Sequence, residues 1–425
     1  MSLLSAKLES ILPAQIEDIK AFVKEHGEKV VGEVTIGQAF GGMRGIKGLV
    51  CDTSEVPADK GLIIRGTPIS ELTDKLPEEI YFLLLTGSLP TAEELKDLQN
   101  DLESRMEVPA YVWAVIDAMP DDSHPMAMLN TAILVMQKES VFAKKFDEGI
   151  KKAEYWKYYL EDSLNLIARV PAVAAYVYRK RYNKGPRIEA QKGLDWSQNY
   201  VKMLGIDDPN GEATKMMQLY LTCLSDHEGG NVSSFTASTI SSALSDLYYT
   251  VSGGLNGLAG PLHGLAVQEC LKWVLETMEE FGGAPTEEQI EKMAWDTLNA
   301  GQVIPGYGHA VLRVTDPRFT AFLEFGQKYC PTDPVFMTVD RVFNVVPKVL
   351  QQISKISNPW PNVDASSGAL FHYYGLREFD YYTVIFSVSR VLGISAQNVI
   401  ARAYGLPITR PKSLPTAKFK KEVGA

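Results

Sequence analysis

Apolar residues recur through most of the chain at the three- and four-residue spacing that is typical of amphipathic helices. The first such pattern predicts a helix over about Ser5 to His26. Two further helices are expected to begin at capping boxes, Thr91-Ala-Glu-Glu94 and Thr286-Glu-Glu-Gln289, because each precedes an apolar-periodic segment. The pattern therefore predicts a mainly α-helical fold.

Strand patterns are few. Two runs, GLVCDTSEV over 48–56 and GLIIRGTPI over 61–69, can pair as a small hairpin across Pro57-Ala-Asp-Lys60. Other β-rich runs are short and lie within helical patterns, and we find no internal repeat or low-complexity segment. The predicted sheet is therefore a minimal β-hairpin near the N-terminus.

Glycine- and proline-rich junctions cluster in the second half of the chain, as GGLNGLAGP, GGAPT, IPGYGHA, DPR and NPWPNVD. Loops at helix ends are where functional sites are commonly built. Because 425 residues exceed one ordinary core, we expect two domains, one of which can be inserted in the other. The region from about Leu265 to Tyr374 is the candidate smaller domain.

Composition narrows the classes of partner. Hydrophobic residues make up 45% of the chain and charged residues 22%, which is ordinary for a globular protein with a large core. The formal net charge is -10, and no basic stripe follows a predicted helix. This argues against nucleic acid as the main partner but leaves room for a local basic pocket that binds a small anion.

The four cysteines (Cys51, Cys223, Cys270 and Cys330) have no CxxC spacing and are expected to be buried thiols rather than disulfides. No apolar run is expected to reach the about 18 residues that a membrane span needs. The N-terminal segment lacks a signal pattern and contains acidic residues, which transit peptides avoid. We therefore expect a bacterial cytoplasmic protein; the alternative is a mitochondrial matrix enzyme without its presequence.

His263 is the first candidate for chemistry. Gly260-Pro261 is expected to form the N-cap and first position of a helix, which places His263 in the first turn. The helix dipole there disfavours an imidazolium, and a neutral imidazole can donate a hydrogen bond to a carbonyl oxygen that becomes an enolate. The alternative is a structural histidine that a backbone carbonyl satisfies.

His309 follows a Pro-Gly-Tyr-Gly loop and lies close in sequence to Arg313 and Arg318. The glycines, Gly306 and Gly308, allow the backbone to approach a ligand closely. Asp316-Pro317 is expected to be an N-cap and first helical residue, so that Arg318 opens a helix. Guanidinium groups suit carboxylates and phosphates, although a loop with surface arginines is the alternative interpretation.

Asp364 is bracketed by Pro359, Trp360 and Pro361, which stiffen the backbone before it. An apolar setting would raise the pKa of its carboxyl and make it a general base. The alternative is that Asp364 caps a helix that starts at Ala365.

The two histidines and the aspartate do not have metal-ligand spacing, since HExxH is absent, and no GxSxG marks a hydrolase nucleophile. Acid–base chemistry at carbon remains: a base removes a proton next to a carbonyl, one neutral histidine stabilises the enol, and a second polarises an electrophile. Arginines would hold an anionic partner.

Six motifs occur along the chain in the same order as in one protein family. They are SDHEGGNVSSF (225–235), NGLAGPLHGLA (256–266), PGYGHAVLR-x-TDPR (305–318), NPWPNVDASSG (358–368), SVSRVLG (387–393) and RPKS (410–413). The chain is similar to citrate synthase in the long form of mitochondria and some bacteria. The resemblance runs from VVGEVTIGQAFGGMRGIKGLV (30–50) to RPKS.

The resemblance implies a mainly α-helical homodimer. A large domain would comprise 1–264 and 375–425, a small domain would comprise 265–374, and the active site would lie in the cleft between them. The domains would close on oxaloacetate before acetyl-CoA reacts, which excludes water from the thioester.

The resemblance also implies roles for single residues. Asp364 would take a proton from the methyl group of acetyl-CoA, His263 would hydrogen-bond the thioester oxygen, and His309 would assist attack on the oxaloacetate carbonyl. Oxaloacetate would be held by His227, Arg318, Arg390 and, from the other subunit, Arg410. Coenzyme A would be bound by Arg44, Arg313, Lys355, Asn362, and the loop residues Val303, Ile304, Gly306 and Gly308. No metal or redox cofactor is implied.

Three positions depart from the family pattern: Leu224 and Ser357 replace a histidine and a lysine, and Lys152 stands near an expected arginine. These departures put the affinity for coenzyme A in doubt, not the chemistry. The rival functions are 2-methylcitrate synthase, which uses propionyl-CoA, a citryl-CoA lyase, and a non-catalytic protein with the same fold. One methylene changes binding by only ~1–3 kcal/mol, so the motifs do not separate acetyl-CoA from propionyl-CoA.

Overall fold

The computed structural model describes residues 2–309 and 311–424, and it is mainly α-helical, as predicted. The helices of the first half are α1 (Leu3–His26), α2 (Ile36–Phe40), α3 (Pro77–Thr86), α4 (Ala92–Arg105), α5 (Ala110–Ala118), α6 (Pro125–Val135), α7 (Val141–Asp147), α8 (Tyr155–Arg181) and α9 (Trp196–Leu204). Thr91 caps α4 in a capping box, which confirms the sequence prediction.

The helices of the second half are α10 (Glu212–Cys223), α11 (Val232–Ser242), α12 (Leu247–Leu258), α13 (Ala266–Phe281), α14 (Glu287–Asn299), α15 (Pro317–Tyr329), α16 (Pro334–Leu350), α17 (Asp364–Tyr373), α18 (Tyr382–Ala403) and α19 (Thr416–Glu422). Thr286 forms the predicted capping box of α14. Short 3-10 turns lie at Ile69–Glu71, Met136–Glu139, Lys152–Glu154 and Phe379–Tyr381.

The small sheet has one strand more than the sequence predicts. Strand β1 (Ser54–Glu55) pairs antiparallel with β2 (Ile63–Ile64), as expected for the hairpin, and β2 pairs with β3 (Thr67–Pro68). The second predicted run therefore folds back on itself. Arg65 and Gly66 connect β2 to β3 with φ of 48° and 83°, the left-handed geometry that suits a two-residue hairpin turn.

Helix α18 is the centre of the core. It packs against α3, α8, α10, α11 and α12, and nearly every one of its residues is buried. By length and composition the segment Phe379–Ala403 could cross a membrane, so the expectation that no segment is apolar enough is wrong. Most of this segment is buried inside the fold, as in the core helix of a globular protein.

The glycine-rich stretch before His263 is helical rather than a loop junction, because α12 continues through Gly253, Gly254 and Gly257. A Cβ on Gly254 would lie 2.8 Å from the carbonyl oxygen of Ser233 and 3.1 Å from the side chain of Ile394. The glycines therefore let α12 lie close against α11 and α18. Glycine was misinterpreted as a helix breaker where it permits close packing.

Helices α13 to α17 form a packed group, in which α13, α15 and α16 all contact α17 and α14 contacts α13 and α16. This group covers the region predicted as the smaller domain. Its contacts with the rest of the chain include α15 against α10 and against the 3-10 turn Ile69–Glu71.

Two terminal segments lie largely in solvent. Nearly all of 27–50 is exposed, including the apolar side chains of Val30, Val31 and Val50 at 81%, 68% and 69%. The C-terminal segment after α18 is also exposed, and its Phe419 packs on Phe40 with ring centroids 5.8 Å apart. These segments are called the N-terminal arm (27–50) and the C-terminal tail (405–424) below.

All four cysteines are free, three of them fully buried and Cys51 partly so. This confirms the prediction of thiols rather than disulfides.

Candidate active site

Six of the predicted site residues come from separate elements but share one buried region. The rings of His227 and His309 lie with their centroids 5.8 Å apart. The ring of Phe386 lies between two further site residues: its centroid is 6.4 Å from the ring centroid of His263 and 4.8 Å from the guanidinium carbon of Arg390. The charges of Arg318 and Arg390 both act on Asp364.

His263 lies in a turn before α13, not in its first turn. The backbone amides of His263 and Gly264 both donate to the carbonyl of Gly260, at 3.0 and 3.2 Å, and α13 begins only at Ala266. The predicted N-cap at Gly260 and first helical position at Pro261 are therefore wrong. A Cβ on Gly264 would lie 2.2 Å from the carbonyl oxygen of Leu258, so this turn is packed directly against the end of α12.

The imidazole of His263 is nevertheless neutral, for a different physical reason. Burial, followed by the positive charge of Arg390, lowers the pKa of His263 to about 4. Desolvation and a nearby cation both disfavour the imidazolium. Neutrality is thus a property of the buried site rather than of a helix dipole.

Hydrogen bonds fix the tautomer of His263. Its Nε2 accepts from the backbone amide of Ser233 at 3.3 Å and lies 2.9 Å from the Ser233 hydroxyl. Because a backbone N–H can only donate, Nε2 carries no proton, and in the neutral ring the proton is on Nδ1. Nδ1–H is therefore the free donor of His263.

The opposite nitrogen is free in His309. Its Nδ1 accepts from the backbone amides of Val311 and Leu312, at 3.0 and 2.9 Å. Nε2 therefore carries the proton of the neutral ring. Burial and the charge of Arg318 lower the pKa of His309, so it too is a neutral donor.

His227 lies on the loop between α10 and α11. Its Nε2 is buried and has no hydrogen-bond partner among the described residues. Burial, Arg318 and Arg390 together lower the pKa of His227 well below its usual value. A buried ring nitrogen that is left without a partner is suited to a ligand, because only the ligand can satisfy it.

Two buried arginines face this region with part of their donors already used. Arg318 donates from Nε and Nη2 to the carboxylate of Asp316, at 3.0 and 2.7 Å. Arg390 donates from Nε to the Leu224 carbonyl at 3.1 Å and from Nη1 to Asn231 Oδ1 at 3.3 Å. Each guanidinium is thereby oriented.

The two arginines differ in charge compensation. The side chain of Arg318 is 3% exposed and that of Arg390 is 2% exposed. Of the two, only Arg318 has a carboxylate within ion-pair distance among the described residues. Burial lowers the pKa of Arg390 to about 10. An uncompensated buried cation is unfavourable until an anion binds beside it.

Asp364 is the first residue of α17, so it does not cap a helix that starts at Ala365. The N-cap position is Val363, and Asn362 Oδ1 accepts from the Asp364 amide at 3.0 Å. Burial raises the pKa of Asp364 to about 6, although Arg318 and Arg390 oppose the rise. A carboxylate with this pKa is ionised at neutral pH and is a stronger base than a solvated one.

The predicted coenzyme A loop runs beside the segment that leads to Asp364. Gly308 donates to the Trp360 carbonyl at 2.9 Å, and Asn362 donates from its amide to Gly306 at 2.8 Å and from Nδ2 to Gly308 at 3.0 Å. Both glycines have left-handed φ, 80° and 87°. In this loop Ile304 is buried, whereas Val303 is 80% exposed.

The remaining predicted cations are at the surface. Arg313 is exposed, and its Nη1 donates to the carbonyls of Val311 and Leu312 at 2.9 and 2.7 Å, which closes the turn after His309. Arg44, Lys355 and Arg410 are exposed, and no hydrogen bond or ion pair among the described residues links them to the buried region. Arg44 lies on the N-terminal arm and Arg410 on the C-terminal tail.

Sequence reasoning missed two residues that organise the site. Ser233 orients His263 from a position 30 residues earlier in the chain. Asp316 was predicted only as an N-cap; it does accept from the Arg318 amide at 2.9 Å, and the same carboxylate also holds the guanidinium. The spacing Asp-Pro-Arg was the available signal for Asp316, and the only signal for Ser233 was its place in the motif SDHEGGNVSSF (225–235).

Residues 42–412 match the family model described as "Citrate synthase, C-terminal domain". The chain is 47% identical over 430 residues to "Citrate synthase, mitochondrial" of Saccharomyces cerevisiae, covering 99% of this chain and 89% of that protein. It is also 47% identical over 432 residues to "2-methylcitrate synthase, mitochondrial" of Yarrowia lipolytica, covering 99% and 93%.

The fold is similar to the crystal structure of citrate synthase from Pyrobaculum aerophilum, with a TM-score of 0.80, 28% identity, and coverage of 92% of this chain and 98% of that one. Both yeast relatives carry mitochondrial names. The expectation of a bacterial cytoplasmic protein is therefore wrong.

Proposed function

Because the chain belongs to the citrate synthase family of acyltransferases, we propose that it condenses acetyl-CoA with oxaloacetate and water to give citrate and free coenzyme A, the entry step of the tricarboxylic acid cycle. The observation that carries this proposal is a pair of oriented, neutral histidines and a carboxylate of raised pKa, on all of which the charges of Arg318 or Arg390 act. Each histidine has its other nitrogen blocked by a backbone amide and so offers one N–H.

In the first step Asp364 removes a proton from the methyl group of acetyl-CoA. The electron pair of the broken C–H bond moves into the thioester, and negative charge develops on its oxygen. Nδ1–H of His263 donates a hydrogen bond to that oxygen. The low pKa of His263 supports this role, because a neutral donor shares its proton with the enolate without protonating it fully.

In the second step the enol carbon attacks the ketone carbon of oxaloacetate. Nε2–H of His309 polarises the ketone oxygen and delivers the proton that makes the new hydroxyl of citryl-CoA, and the proton that Asp364 took from the methyl group restores the neutral ring. Water then hydrolyses the thioester to citrate and the free thiol of coenzyme A. These reaction steps require no metal or redox cofactor, so chelation with EDTA should leave the reaction rate unchanged.

Oxaloacetate is proposed to lie between His227, Arg318 and Arg390. The unpaired Nε2 of His227 and the buried charge of Arg390, which has no carboxylate within ion-pair distance among the described residues, support this, because a dicarboxylate would satisfy both. Each guanidinium already donates part of its N–H groups to protein acceptors, which fixes its orientation. Each arginine therefore offers oxaloacetate only a few N–H donors, in fixed positions.

Coenzyme A is proposed to lie along the Val303–Gly308 loop and Asn362, with Arg44, Arg313 and Lys355 near its phosphates. The left-handed glycines, which allow close backbone approach, support this placement. The small domain 265–374 would move against the remaining large domain, 1–264 with 375–425, to close the cleft. The packing of α13 to α17 on one another supports this division.

A homodimer is proposed, with Arg410 reaching the partner's active site. The exposed apolar side chains along the N-terminal arm support it, since many large apolar side chains left in solvent on one segment are a typical sign of a protein interface. The exposure of Arg410, away from the buried site of its own chain, also supports it. We propose the mitochondrial matrix as the compartment, from the names of the yeast relatives.

A second candidate function is 2-methylcitrate synthesis from propionyl-CoA, which the Yarrowia relative favours because it is as similar as the Saccharomyces one. The test is thiol release by the purified protein with oxaloacetate, comparing kcat/KM for acetyl-CoA and propionyl-CoA. A much higher value for acetyl-CoA is expected. Equal or better use of propionyl-CoA would transfer the assignment, and no thiol release from either by folded protein would overturn the catalytic proposal.

A further inference from the structure

The carboxylate of Asp226, the residue before His227, is completely buried. Three side chains donate hydrogen bonds to it: Thr53 Oγ1 at 2.6 Å, Ser54 Oγ at 2.8 Å and Gln397 Nε2 at 2.6 Å. Among the described residues no cation lies within ion-pair distance of it. Its direct hydrogen bonds thus come from neutral donors, while the charge of Arg390 acts on it from beyond ion-pair distance.

The same donors hold the residue after His227. Ser54 Oγ accepts from the Glu228 amide at 2.7 Å, and Gln397 Nε2 donates to the Glu228 carbonyl at 3.0 Å. Glu228 has a left-handed φ of 51°, which is strained for a residue with a Cβ. His227 therefore lies between two residues that are anchored to the same two partners.

Helix α18 presents one face to this loop. Arg390, Gly393 and Gln397 follow at spacings of three and four, which places them in line along the helix. The Gly393 amide donates to Ser225 at 3.1 Å, and a Cβ there would lie 2.3 Å from that carbonyl oxygen and 2.5 Å from Asp226 Oδ1. The loop that carries His227 is thus clamped along the face that carries Arg390.

A buried carboxylate without a paired cation contributes little to stability, because its desolvation offsets its hydrogen bonds. Its effect is geometric: it joins the loop to β1 on one side and to α18 on the other. We infer that Asp226 is a positioning residue for substrate binding, which fixes His227 and Arg390 relative to each other for the two carboxylates of oxaloacetate. The inference rests on the proposed function, in which these two residues bind oxaloacetate.

Asp226→Asn tests it. The amide oxygen can still accept from Thr53 and Ser54, but the new NH2 group faces Nε2 of Gln397. If Gln397 turns its amide to accept, it loses its bond to the Glu228 carbonyl. One anchor of the loop is lost in either case, and we expect KM for oxaloacetate to rise about tenfold with kcat changed less than about threefold.

The sign of the change separates positioning from electrostatics. Removal of a negative charge near a dianion site would by itself strengthen oxaloacetate binding and lower KM. A lower KM would therefore overturn the inference, and so would an unchanged KM with a lower melting temperature, which would indicate a purely structural role.

Two further variants keep the test decisive. Asp226→Asn combined with Gln397→Glu restores a carboxylate–amide pair but leaves the Glu228 carbonyl without its donor, so KM for oxaloacetate should stay raised; a return to the wild-type KM would overturn the inference, because it would show that a buried carboxylate alone is sufficient. If Asp226→Asn does not fold, Thr53→Val removes one donor at nearly constant shape and should raise KM about threefold. Its matched control is Thr338→Val, another buried threonine that bonds only within α16.

His227→Gln is measured in parallel to separate this inference from the proposed function. If His227→Gln leaves KM for oxaloacetate unchanged, the proposed binding site is wrong. If His227→Gln raises KM while Asp226→Asn and Thr53→Val do not, the binding site stands and the positioning role of Asp226 is wrong.

Discussion

Ser233 presents both its backbone amide and its hydroxyl to one nitrogen of His263, at 3.3 and 2.9 Å. This relationship decides which nitrogen of His263 donates to substrate. It also disfavours protonation of the ring, because an imidazolium would place an N–H against the Ser233 amide.

Ser233→Ala should therefore lower kcat about tenfold and leave KM for oxaloacetate nearly unchanged. The hydroxyl is lost while the amide remains, so the ring becomes looser without a complete loss of its tautomer. Steady-state kinetics with acetyl-CoA checks this. Ser197→Ala, a buried serine on α9 with an unpartnered hydroxyl, is the matched control and should be silent. Equal kcat values for the two variants would contradict the role of Ser233.

The pKa of Asp364, about 6, predicts how the rate depends on pH. Asp364 must be ionised to act as a base, so kcat should fall as pH drops below about 6. His263, with a pKa of about 4, should add no second acid limb above pH 5. Asp364→Asn should lose about 10²–10⁴-fold in kcat. An acid limb that survives in Asp364→Asn would assign it to another group.

The raised pKa of Asp364 also predicts that Asp364→Asn, which loses activity, gains stability. The pKa of Asp364 in the folded state lies above the ordinary aspartate value of 3.8, so the folded state binds this proton more tightly and wild-type stability falls as pH rises from about 4 through 6. Asp364→Asn removes this penalty. It should be more stable than the wild type at pH 8 by up to about 3 kcal/mol, and the difference should vanish below pH 4. Denaturant unfolding at the two pH values measures it.

Gly306 combines a left-handed φ of 80° with a crowded position, since a Cβ there would lie 2.5 Å from Cys270 Sγ and 2.9 Å from Ala365 Cβ. Gly306→Ala should raise KM for acetyl-CoA and destabilise the protein by more than about 2 kcal/mol. Gly282→Ala is the matched control, because Gly282 has a φ of 71° and nothing within 4 Å of the added atom. If both variants behave alike, the backbone conformation alone accounts for the effect and the close packing does not.

The proposed exchange of Arg410 between subunits predicts complementation. Asp364→Asn and Arg410→Ala homodimers should each be nearly inactive. A mixed dimer has one site that receives Asp364 from one chain and Arg410 from the other, so random remixing should restore about a quarter of wild-type activity. Activity measured before and after dissociation and reassembly tests this. No recovery, with mixed dimers demonstrated by mass, would place Arg410 in its own chain's site or outside catalysis.

The sequence predicts best the features that depend on neighbouring residues. The capping boxes at Thr91 and Thr286 and the N-cap at Asp316 form as expected, because each involves atoms within three residues. The predicted helix start at Gly260-Pro261 was wrong because it, too, relied only on neighbouring residues. Its local signal was correct, but packing of Gly264 against Leu258 keeps the chain in a turn until Ala266.

Features that depend on distant residues could not be predicted from spacing. Ser233 and Asp226 act on residues from other elements, and only the packed fold brings them into contact. The neutrality of His263 was predicted, but from a helix dipole; its cause is burial and the charge of Arg390, which lies 127 positions away in the sequence. The neutral state of His263 therefore depends on its surroundings in the folded core and not on its neighbours in the sequence.

Helix α18 has a consequence for the order in which the protein can fold. Helices α3 and α8 are made early in synthesis, but their apolar surfaces are covered by α18, which ends only at Ala403. A chain that emerges amino-terminus first therefore cannot complete its core until almost all of it is available, and its early helices need protection from aggregation until then. Helix α18, which is long and apolar enough to cross a membrane, is also the last large element to appear, so it is exposed to solvent for a short time before it is buried.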